Sequence, residues 1–524
     1  MCTFYISSIG HQANKMVSII PDTVFSFPIS STDVIMTAVL AFVLAALFSM
    51  YVPNGFPPGP VALPFVVNSL GLRGDQSEIL LTLSKRYCDI LSVKINGRKK
   101  VIINDVDMIR EALVKKEFSG KPWRFFNDVL SEGGKDITDC SYSPEYVARR
   151  KLLIRLLRNA TVRHRMEDSA RDAFLKVKNS IYDRNGKPFN LQPYLALVVG
   201  SAASSMCFGR KYKIDDPEFR EIISTFQNLS KRFSHVLPAE IFPILRHVPT
   251  KGVLETKKAV SDWLMLIQSK IDQQKTQHNE GEVYGICDGL LKFLKDADES
   301  GRDVSSWLTD VNVRQILSNV FIAAMVPTVT TMAWLVAYLV NYPDVQTRMQ
   351  KEIDDVIGRK SLLLSSDAGT LRYCRAVILE VLRIRTVALR GLPHQTLEDT
   401  CLGGYSIPSG TEIWMHFANV HMNSKYWQEP EEFHPERFLD EDGSVLPTPN
   451  TFLPFSAGRR KCAGESSAMN WITFTCISLF HHFTFSPAPG QGKPSLKPDC
   501  STGINECSPY EVVSRPRIGR EMYD

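Results

Sequence analysis

The chain has 524 residues, of which 44% are hydrophobic and 22% are charged, an ordinary composition for a globular protein. Its 61 basic and 56 acidic side chains leave a net charge of +5, which is too small to indicate nucleic-acid binding. The eleven cysteines include no Cys-x-x-Cys pair, which argues against a zinc site and against a disulfide framework. Length alone allows two or three domains, but no repeat or Gly/Ser-rich linker divides the chain.

The N-terminal region contains one long apolar segment. Residues 34–52 carry no charge, and their number is close to the roughly 20 that a membrane-spanning helix needs. A cleaved signal peptide and a buried helix are the alternatives, but the apolar core of a signal peptide is only about 7–15 residues long. We therefore predict an N-terminal segment (1–33), a transmembrane anchor (34–52), a stiff proline-rich linker (53–64) and one large domain (65–524).

The large domain opens with a predicted β-hairpin and continues with mainly helical periodicity. The hairpin should turn at Asn96-Gly97, and the helical pattern runs from about residue 106 to about 385. Residues 315–343 carry no charge over 29 positions, so this stretch is either a second transmembrane span or a long buried helix. Its asparagine, its proline and its threonines are polar or helix-breaking, and we predict the buried helix.

The motif EVLR places Glu380 and Arg383 three residues apart, on one face of a helix. An exposed ion pair of this kind would contribute little to stability. Apolar residues surround the motif, however, so a desolvated pair that needs further hydrogen-bond partners is the better prediction. Arg437, in the segment PEEFHPERFL, is the candidate partner.

The segment FSAGRRKCAG, residues 455–464, places a cysteine among three cations and several small residues. Three interpretations compete for Cys462. It is an inert buried thiol, it lies in a basic patch for nucleic acid or targeting, or it is a thiolate bonded to another group. The residues alone leave these alternatives open.

The segment 455–464 resembles the haem-binding loop of the cytochrome P450 family. Five residues occupy the fixed positions of that loop: Phe455, Gly458, Arg460, Cys462 and Gly464. The EVLR helix and Arg437 resemble two further family motifs, and the resemblance extends from residue 34 onward. The segments GGKDI, GLPH and GRRKCAG are most similar to the microsomal animal branch that oxidises steroids and foreign compounds. The chain also resembles the Spook type of insect enzyme in ecdysteroid synthesis.

The resemblance implies a mainly α fold with a small β-rich lobe, behind one N-terminal transmembrane helix. It also implies haem b, with its iron ligated by Cys462, since a thiolate ligand favours cleavage of the oxygen–oxygen bond. Phe455 would pack beside the sulfur, and Gly458 and Gly464 would let the loop approach the haem plane. Basic side chains would bind the haem propionates: Arg150, His394 and Arg460. Tyr146 stands where the family usually has tryptophan and can still donate one hydrogen bond.

The surroundings of Cys462 predict a lowered thiol pKa. Cations flank it, and residues 465–480 look helical, so backbone N–H groups at the start of that helix should point toward the sulfur. Four further cations are either solvated surface residues or, by the resemblance, part of a docking face for an acidic flavoprotein: Arg149, Lys151, Arg459 and Lys461.

The implied partners and location follow the microsomal branch. Electrons would come from NADPH through a diflavin reductase, with cytochrome b5 as a second candidate donor. The substrate would be a lipophilic small molecule, either a steroid such as an ecdysteroid precursor or a fatty acid or foreign compound. The protein would lie in the endoplasmic reticulum membrane on a single-pass anchor, with its catalytic domain cytosolic and without a nucleic-acid partner.

The long apolar helix departs from the family pattern. Where the family has an acid and then a threonine for proton delivery to oxygen, this chain has Val326 and Pro327, and Thr328 follows one place later. Thr328 and water, in a helix opened by the proline, would take over the proton relay. Family members that rearrange or dehydrate peroxides also lack the pair. Three functions therefore stay open: a monooxygenase, an oxygen-independent isomerase or dehydratase of lipid hydroperoxides, and a non-catalytic haem-binding relative.

Overall fold

Helices dominate the computed structural model, which describes residues 32, 34, 36, 37, 39, 40, 54–60, 76–87, 89–95, 98–233, 237–241, 243–277, 282–358, 369–498 and 504–517. The helices are α1 (Gln76–Tyr87), α2 (Val106–Val114), α3 (Phe125–Leu130), α4 (Pro144–Leu157), α5 (Ala160–Tyr182), α6 (Gln192–Phe208), α7 (Pro217–Ser230), α8 (Pro238–Ile241), α9 (Lys251–Gln277), α10 (Ile286–Glu299), α11 (Asp310–Asn341), α12 (Pro343–Val356), α13 (Arg372–Ile384), α14 (Phe417–His421) and α15 (Glu465–His482). The strands are β1 (Ile90–Ile95), β2 (Arg98–Ile103), β3 (Phe189–Asn190), β4 (His394–Gln395), β5 (Thr400–Leu402), β6 (Tyr405–Ile407), β7 (Glu412–Met415), β8 (Phe483–Pro487) and β9 (Glu511–Pro516).

The predicted anchor falls mostly outside the described residues. Within 34–52, positions 34, 36, 37, 39 and 40 are helical and exposed. Residues 54–60 and 68–524 form one compact unit, and residues 1–53 and 61–67 belong to another.

The β-rich lobe is built on the predicted hairpin. Strands β1 and β2 pair antiparallel, and the predicted turn at residues 96–97 lies outside the described residues. Strand β2 pairs parallel with β7, which pairs antiparallel with β4. Side chains of β1, β2 and β7 alternate between two small apolar clusters, because successive strand residues point to opposite faces. The mainly α fold with a small β-rich lobe is confirmed.

Helix α11 is a buried core helix, as predicted. In the part of the chain that the structure describes, it is the one helix long and apolar enough to span a membrane, but 67% of its most apolar window is buried inside the protein. It packs against α6, α9, α13 and α15. The helix begins behind Thr309, whose hydroxyl caps it by accepting a hydrogen bond from Asn312 N. The helix continues through Pro327, which has no N–H to donate to the Ala323 carbonyl.

Candidate functional site

Residues 455–464 form a closed loop that leads into α15. The Cys462 N–H donates to the Phe455 carbonyl oxygen at 2.9 Å, and the Lys461 N–H donates to the Gly458 carbonyl at 3.3 Å. Between them Ser456 adopts a left-handed backbone conformation with φ of 60°, which a non-glycine residue rarely adopts. Helix α15 begins at Glu465, as the sequence predicts. The loop therefore holds Cys462 just ahead of a helix N-terminus.

The Cys462 thiol is accessible although many protein atoms lie around it. Its side chain is exposed, while desolvation by the surrounding protein raises its pKa. The Gly464 N–H, Arg150 and Lys461 lower the pKa but do not outweigh burial. The predicted net lowering is therefore wrong. A bound metal ion would deprotonate the thiol outright, because it is a far larger local charge.

Glycine occupies positions 458 and 464 of the loop for two different physical reasons. A Cβ atom on Gly464 would meet no protein atom within 4 Å, so space lies open beside the thiol and a flat ring could approach the backbone there. Gly458 has φ of +65°, and a Cβ atom on it would lie 2.2 Å from the Leu113 carbonyl oxygen. Packing against α2 therefore requires glycine at position 458. The expectation that this residue also lets the haem plane approach stays a prediction.

Arg460 is anchored by backbone oxygens. Its Nε and Nη2 donate to the Ser119 carbonyl at 2.9 and 2.7 Å, and Nη2 also donates to the Cys140 carbonyl at 2.6 Å. Its guanidinium carbon lies 4.4 Å from the ring centroid of Tyr146, which is buried. Phe455 is half-buried and packs on the main core. Hydrogen bonds to backbone carbonyls thus hold the Arg460 side chain in one position.

Two more basic side chains are buried next to Arg460. His394 lies on β4 with Nδ1 2.7 Å from the Phe118 carbonyl oxygen, and burial lowers its pKa, with Lys121 and Arg460 adding to the effect. Lys121 donates to the Pro393 carbonyl at 3.0 Å, and burial lowers its pKa to about 7. Asp136 acts on Lys121 and Arg460, and Asp139 on Lys121, only at longer range, since no ion pair in the described part of the chain includes these side chains. Lys121 and Arg460 thus lack a directly paired carboxylate, so the cluster fits the two carboxylates of haem b.

Lys121 was missed by sequence reasoning. It stands between Gly120 and Pro122, where a lysine is most simply interpreted as a solvated loop residue. Nothing in the sequence signals its burial beside Arg460 and His394, since that depends on residues nearly 340 positions apart coming together.

Three of the remaining basic residues line one surface cleft. Arg150, Lys151 and Arg459 line a cleft of about 250 Å³, together with Tyr142, Tyr146, Val147 and Ile154. The Arg150 Nη2 donates to the Lys461 carbonyl oxygen. Arg149 is buried, which corrects the alternative that treated it as a solvated cation, and its Nη1 donates to the Lys135 carbonyl at 3.4 Å.

The altered segment of α11 has one open face. Ala323 and Pro327 are exposed, and Val326 and Thr330 are half-buried, although the helix around them is largely buried. These four residues follow the i, i+3, i+4, i+7 spacing of a single helical stripe. Thr328 lies off this stripe and is only 2% exposed. Its role as a proton relay stays a prediction.

Glu380 and Arg383 form a buried ion pair, which Arg437 extends into the Glu380 cluster. Arg383 Nε donates to one Glu380 carboxylate oxygen at 2.7 Å and Nη2 to the other at 2.8 Å, and both residues are 0% exposed. Arg437 Nε donates to Glu380 at 3.0 Å. Arg383 Nη1 also donates to the carbonyls of His421 and Pro430 at 2.7 and 2.8 Å. The cluster ties α13 to the chain that precedes the cysteine loop.

Proteins in which helices surround a cysteine loop of this kind, with buried cations nearby, form a class of haem proteins with a thiolate ligand. The family model "Cytochrome P450" matches residues 57–508. The steroid 17-alpha-hydroxylase/17,20 lyase of Gallus gallus is 32% identical over 453 residues, which is 85% of this chain and 89% of that protein. Cytochrome P450 2D6 of Homo sapiens is 30% identical, over 88% of this chain and 94% of that protein.

A solved structure, "Zebra fish cytochrome P450 another structure with Progesterone", has a TM-score of 0.74 and 26% sequence identity, and the match covers 84% of this chain and 99% of that one. The chain belongs to the cytochrome P450 family. It is an oxidoreductase of the cytochrome P450 monooxygenase class, with haem b as cofactor, a cysteine thiolate as iron ligand and a reductase supplying electrons from NADPH. The predicted likeness to the animal branch is confirmed, and the likeness to the Spook type stays a prediction.

Proposed function

We propose that the protein inserts one oxygen atom from molecular oxygen into a steroid-like lipophilic molecule. The observation that carries this proposal is an exposed Cys462 thiol just ahead of a helix N-terminus, together with an open, mainly apolar stripe on α11. Support for a steroid comes from the 17-alpha-hydroxylase relatives and from the progesterone named with the zebra fish structure. An ecdysteroid precursor is one candidate within this class.

Different residues of the chain have different roles at the proposed site. Cys462 would hold the iron, while Lys121, His394 and Arg460 would hold the haem carboxylates and Arg150 would supply a further cation. When bound, haem b supplies the activation of oxygen and its transfer to the substrate. Val326 and Pro327 offer an apolar wall that contacts a lipophilic substrate and limits the access of water. The Glu380 cluster stabilises the part of the fold that carries these groups.

The basic cleft at Arg150, Lys151 and Arg459 is the proposed docking site for the reductase, with cytochrome b5 as a second candidate donor. It lies beside the cysteine loop, because Arg150 donates to the Lys461 carbonyl next to Cys462. Opposite charges across such a contact steer association and fix orientation, so an acidic flavoprotein fits this surface.

The proposal is tested with purified haem-loaded protein, a diflavin reductase and progesterone as the first probe. NADPH-dependent product carrying one added oxygen atom, detected by mass spectrometry, supports it. Val326 and Pro327 favour a second candidate function, the rearrangement or dehydration of a lipid hydroperoxide, because neither residue can relay a proton. Turnover of a lipid hydroperoxide without NADPH would support that alternative, and ligand binding without either turnover would indicate a non-catalytic relative.

Restoring the family's acid and alcohol should improve coupling. Val326 has no exchangeable proton, and Pro327 has neither a hydroxyl nor a backbone N–H. We expect Val326→Asp with Pro327→Thr to raise the ratio of product formed to NADPH consumed, and to reduce the hydrogen peroxide released. Both quantities are measured with the same probe and reductase.

The opposite outcome of this double substitution is equally informative. If the wild type converts a lipid hydroperoxide without NADPH and the double variant loses that activity, the segment serves rearrangement. Equal coupling in both proteins, without hydroperoxide turnover in either, would contradict both functional readings of Val326 and Pro327.

The proposed location is the endoplasmic reticulum membrane, with residues 34–52 as a single-pass anchor and the catalytic domain in the cytosol. Deleting residues 1–52 should move the protein toward the soluble fraction of a cell lysate while haem binding persists, since the larger compact unit contains the whole cysteine loop. Carbonate extraction and the haem-to-protein ratio measure the two effects. Full resistance of the truncated protein to carbonate would point to a second span.

A further inference from the structure

We propose that Trp334, Tyr338 and Tyr342 form an electron path from the haem to the protein surface, and that a small reductant delivers its electrons at Tyr342. The path gives the protein a second activity, the reduction of hydrogen peroxide by a one-electron donor such as ascorbate. This inference rests on the haem cofactor of the family and not on the proposed steroid substrate.

The three aromatic side chains follow one another along a single face of α11 and the residue after it. They are spaced four residues apart, so each lies about one turn beyond the last. The ring centroids of Trp334 and Tyr338 lie 6.4 Å apart, and those of Tyr338 and Tyr342 lie 6.1 Å apart with the two rings nearly parallel, at 7°. Phe433 packs on both tyrosines, with centroid distances of 4.7 and 5.1 Å. Electron transfer over such short distances is fast, so the rings form a continuous path.

The inner end of the path lies near the segment where the family activates oxygen. Trp334 is fully buried and stands seven residues after Pro327, which is about 10 Å along the helix axis. Helix α11 also packs against α15, which begins three residues after Cys462. Of the three aromatic residues, Trp334 is therefore the one nearest to a haem bound at Cys462.

The outer end of the path reaches solvent. Tyr342 is half-buried and follows the last residue of α11, whereas Trp334 and Tyr338 are fully buried. Burial raises the pKa of the Tyr342 phenol, and the nearby Glu432 carboxylate adds to the effect. Glu432 is exposed, so the phenol and this carboxylate can exchange a proton with water. An oxidised Tyr342 can therefore release its proton, which a phenol in the interior cannot do as easily.

Arg385 disfavours an oxidised ring in the inner part of the path. Its guanidinium carbon lies 5.3 Å from the ring centroid of Trp334 and 5.4 Å from that of Tyr338. The side chain is held there because Nη2 donates to the Leu496 carbonyl at 2.7 Å. A positive charge so close repels the positive charge of an oxidised ring. The missing electron therefore comes to rest on Tyr342, which has a carboxylate nearby.

The electrons and protons of this activity balance. Hydrogen peroxide takes up two electrons and two protons at the haem and becomes two molecules of water. Trp334 supplies each electron to the haem, Tyr338 restores Trp334, and Tyr342 restores Tyr338. Tyr342 then takes one electron and one proton from an ascorbate molecule, so two ascorbates are oxidised for each peroxide. Poorly coupled turnover releases the same peroxide, so the path protects the interior of the protein from oxidation.

The test mixes the haem-loaded protein with hydrogen peroxide, without NADPH, reductase or steroid, and freezes the mixture rapidly for electron paramagnetic resonance. The wild type should show a tyrosyl radical, whose spectrum narrows when the protein is made with ring-deuterated tyrosine. Tyr342→Phe should lose this radical and most of the peroxide-dependent oxidation of ascorbate. Tyr194→Phe is the matched control and should keep both, because Tyr194 is also half-buried and packs on a phenylalanine, Phe189, but lies on α6.

Tyr338→Phe tests the interior of the path, since it keeps the stacked ring and removes the oxidisable phenol. The radical on Tyr342 should form more slowly in this variant, while the haem-to-protein ratio equals that of the wild type. An unchanged rate of radical formation would overturn the path. A wild type without a tyrosyl radical, or a radical that persists in Tyr342→Phe, would overturn it as well. The steroid function is tested separately, with NADPH and reductase, so it can fail while the electron path stands.

Discussion

Replacing Cys462 by serine is expected to abolish the red-shifted absorption band of the reduced, carbon-monoxide-bound protein, and with it NADPH-dependent turnover. The band depends on thiolate sulfur as the axial ligand, and a serine hydroxyl is a far weaker electron donor to iron. The loop itself should persist, since its closure uses the backbone N–H of residue 462 and the Phe455 carbonyl. Absorption spectra before and after addition of carbon monoxide to the reduced protein measure the effect.

Cys401→Ser is the matched control, because Cys401 is also exposed but lies on β5, outside the cysteine loop. Its spectrum should equal that of the wild type. A red-shifted band that survives in Cys462→Ser would mean that another residue ligates the iron. The assignment of the whole site to residues 455–464 would then be wrong.

Arg383→Ala is expected to yield little haem-loaded protein. The change leaves the Glu380 carboxylate buried with only part of its hydrogen bonds, and it strips the carbonyls of His421 and Pro430 of their donor. Breaking a buried ion pair costs roughly 3–5 kcal/mol, a large share of the roughly 5–15 kcal/mol that stabilises a typical protein. The haem-to-protein ratio and the midpoint of urea unfolding measure the loss.

Lys351→Ala breaks another ion pair, the exposed one between Lys351 and Asp355 on α12, and serves as the control. Exposed pairs contribute little, so haem content and unfolding midpoint should match the wild type. Normal haem content in Arg383→Ala would show that Glu380 finds full compensation from Arg437 and the His434 N–H, which both donate to it.

The sequence predicted well those parts of the site whose burial depends on residues close together in the chain. The apolar residues around EVLR indicated that Glu380 and Arg383 are buried, and they are. The polar residues and proline within residues 315–343 indicated a core helix, which α11 is. In each case the decisive pattern lies within a single helix, where spacing along the chain sets which side chains share a face.

The parts that sequence could not predict depend on distant contacts. The need for glycine at position 458 comes from the Leu113 backbone, and the burial of Lys121 comes from its packing near Arg460 and His394. The net pKa direction at Cys462 was wrong because local cations are visible in the sequence, while the desolvation that outweighs them is a property of the folded surroundings. Thr330 is half-buried whereas Thr328 is buried, and this difference likewise depends on how α11 is rotated within the core.

The contact between Gly458 and α2 sets a rule for recombining this chain with its relatives. The Leu113 carbonyl leaves no room for a side chain at position 458, and Arg459 donates from Nε to the Val114 carbonyl at 2.6 Å. These two segments lie more than 300 residues apart in the chain but are in direct contact in the folded protein. In a chimaeric enzyme, residues 106–114 and 455–464 should therefore be inherited from the same parent, and crossovers that separate them should give fewer haem-loaded progeny.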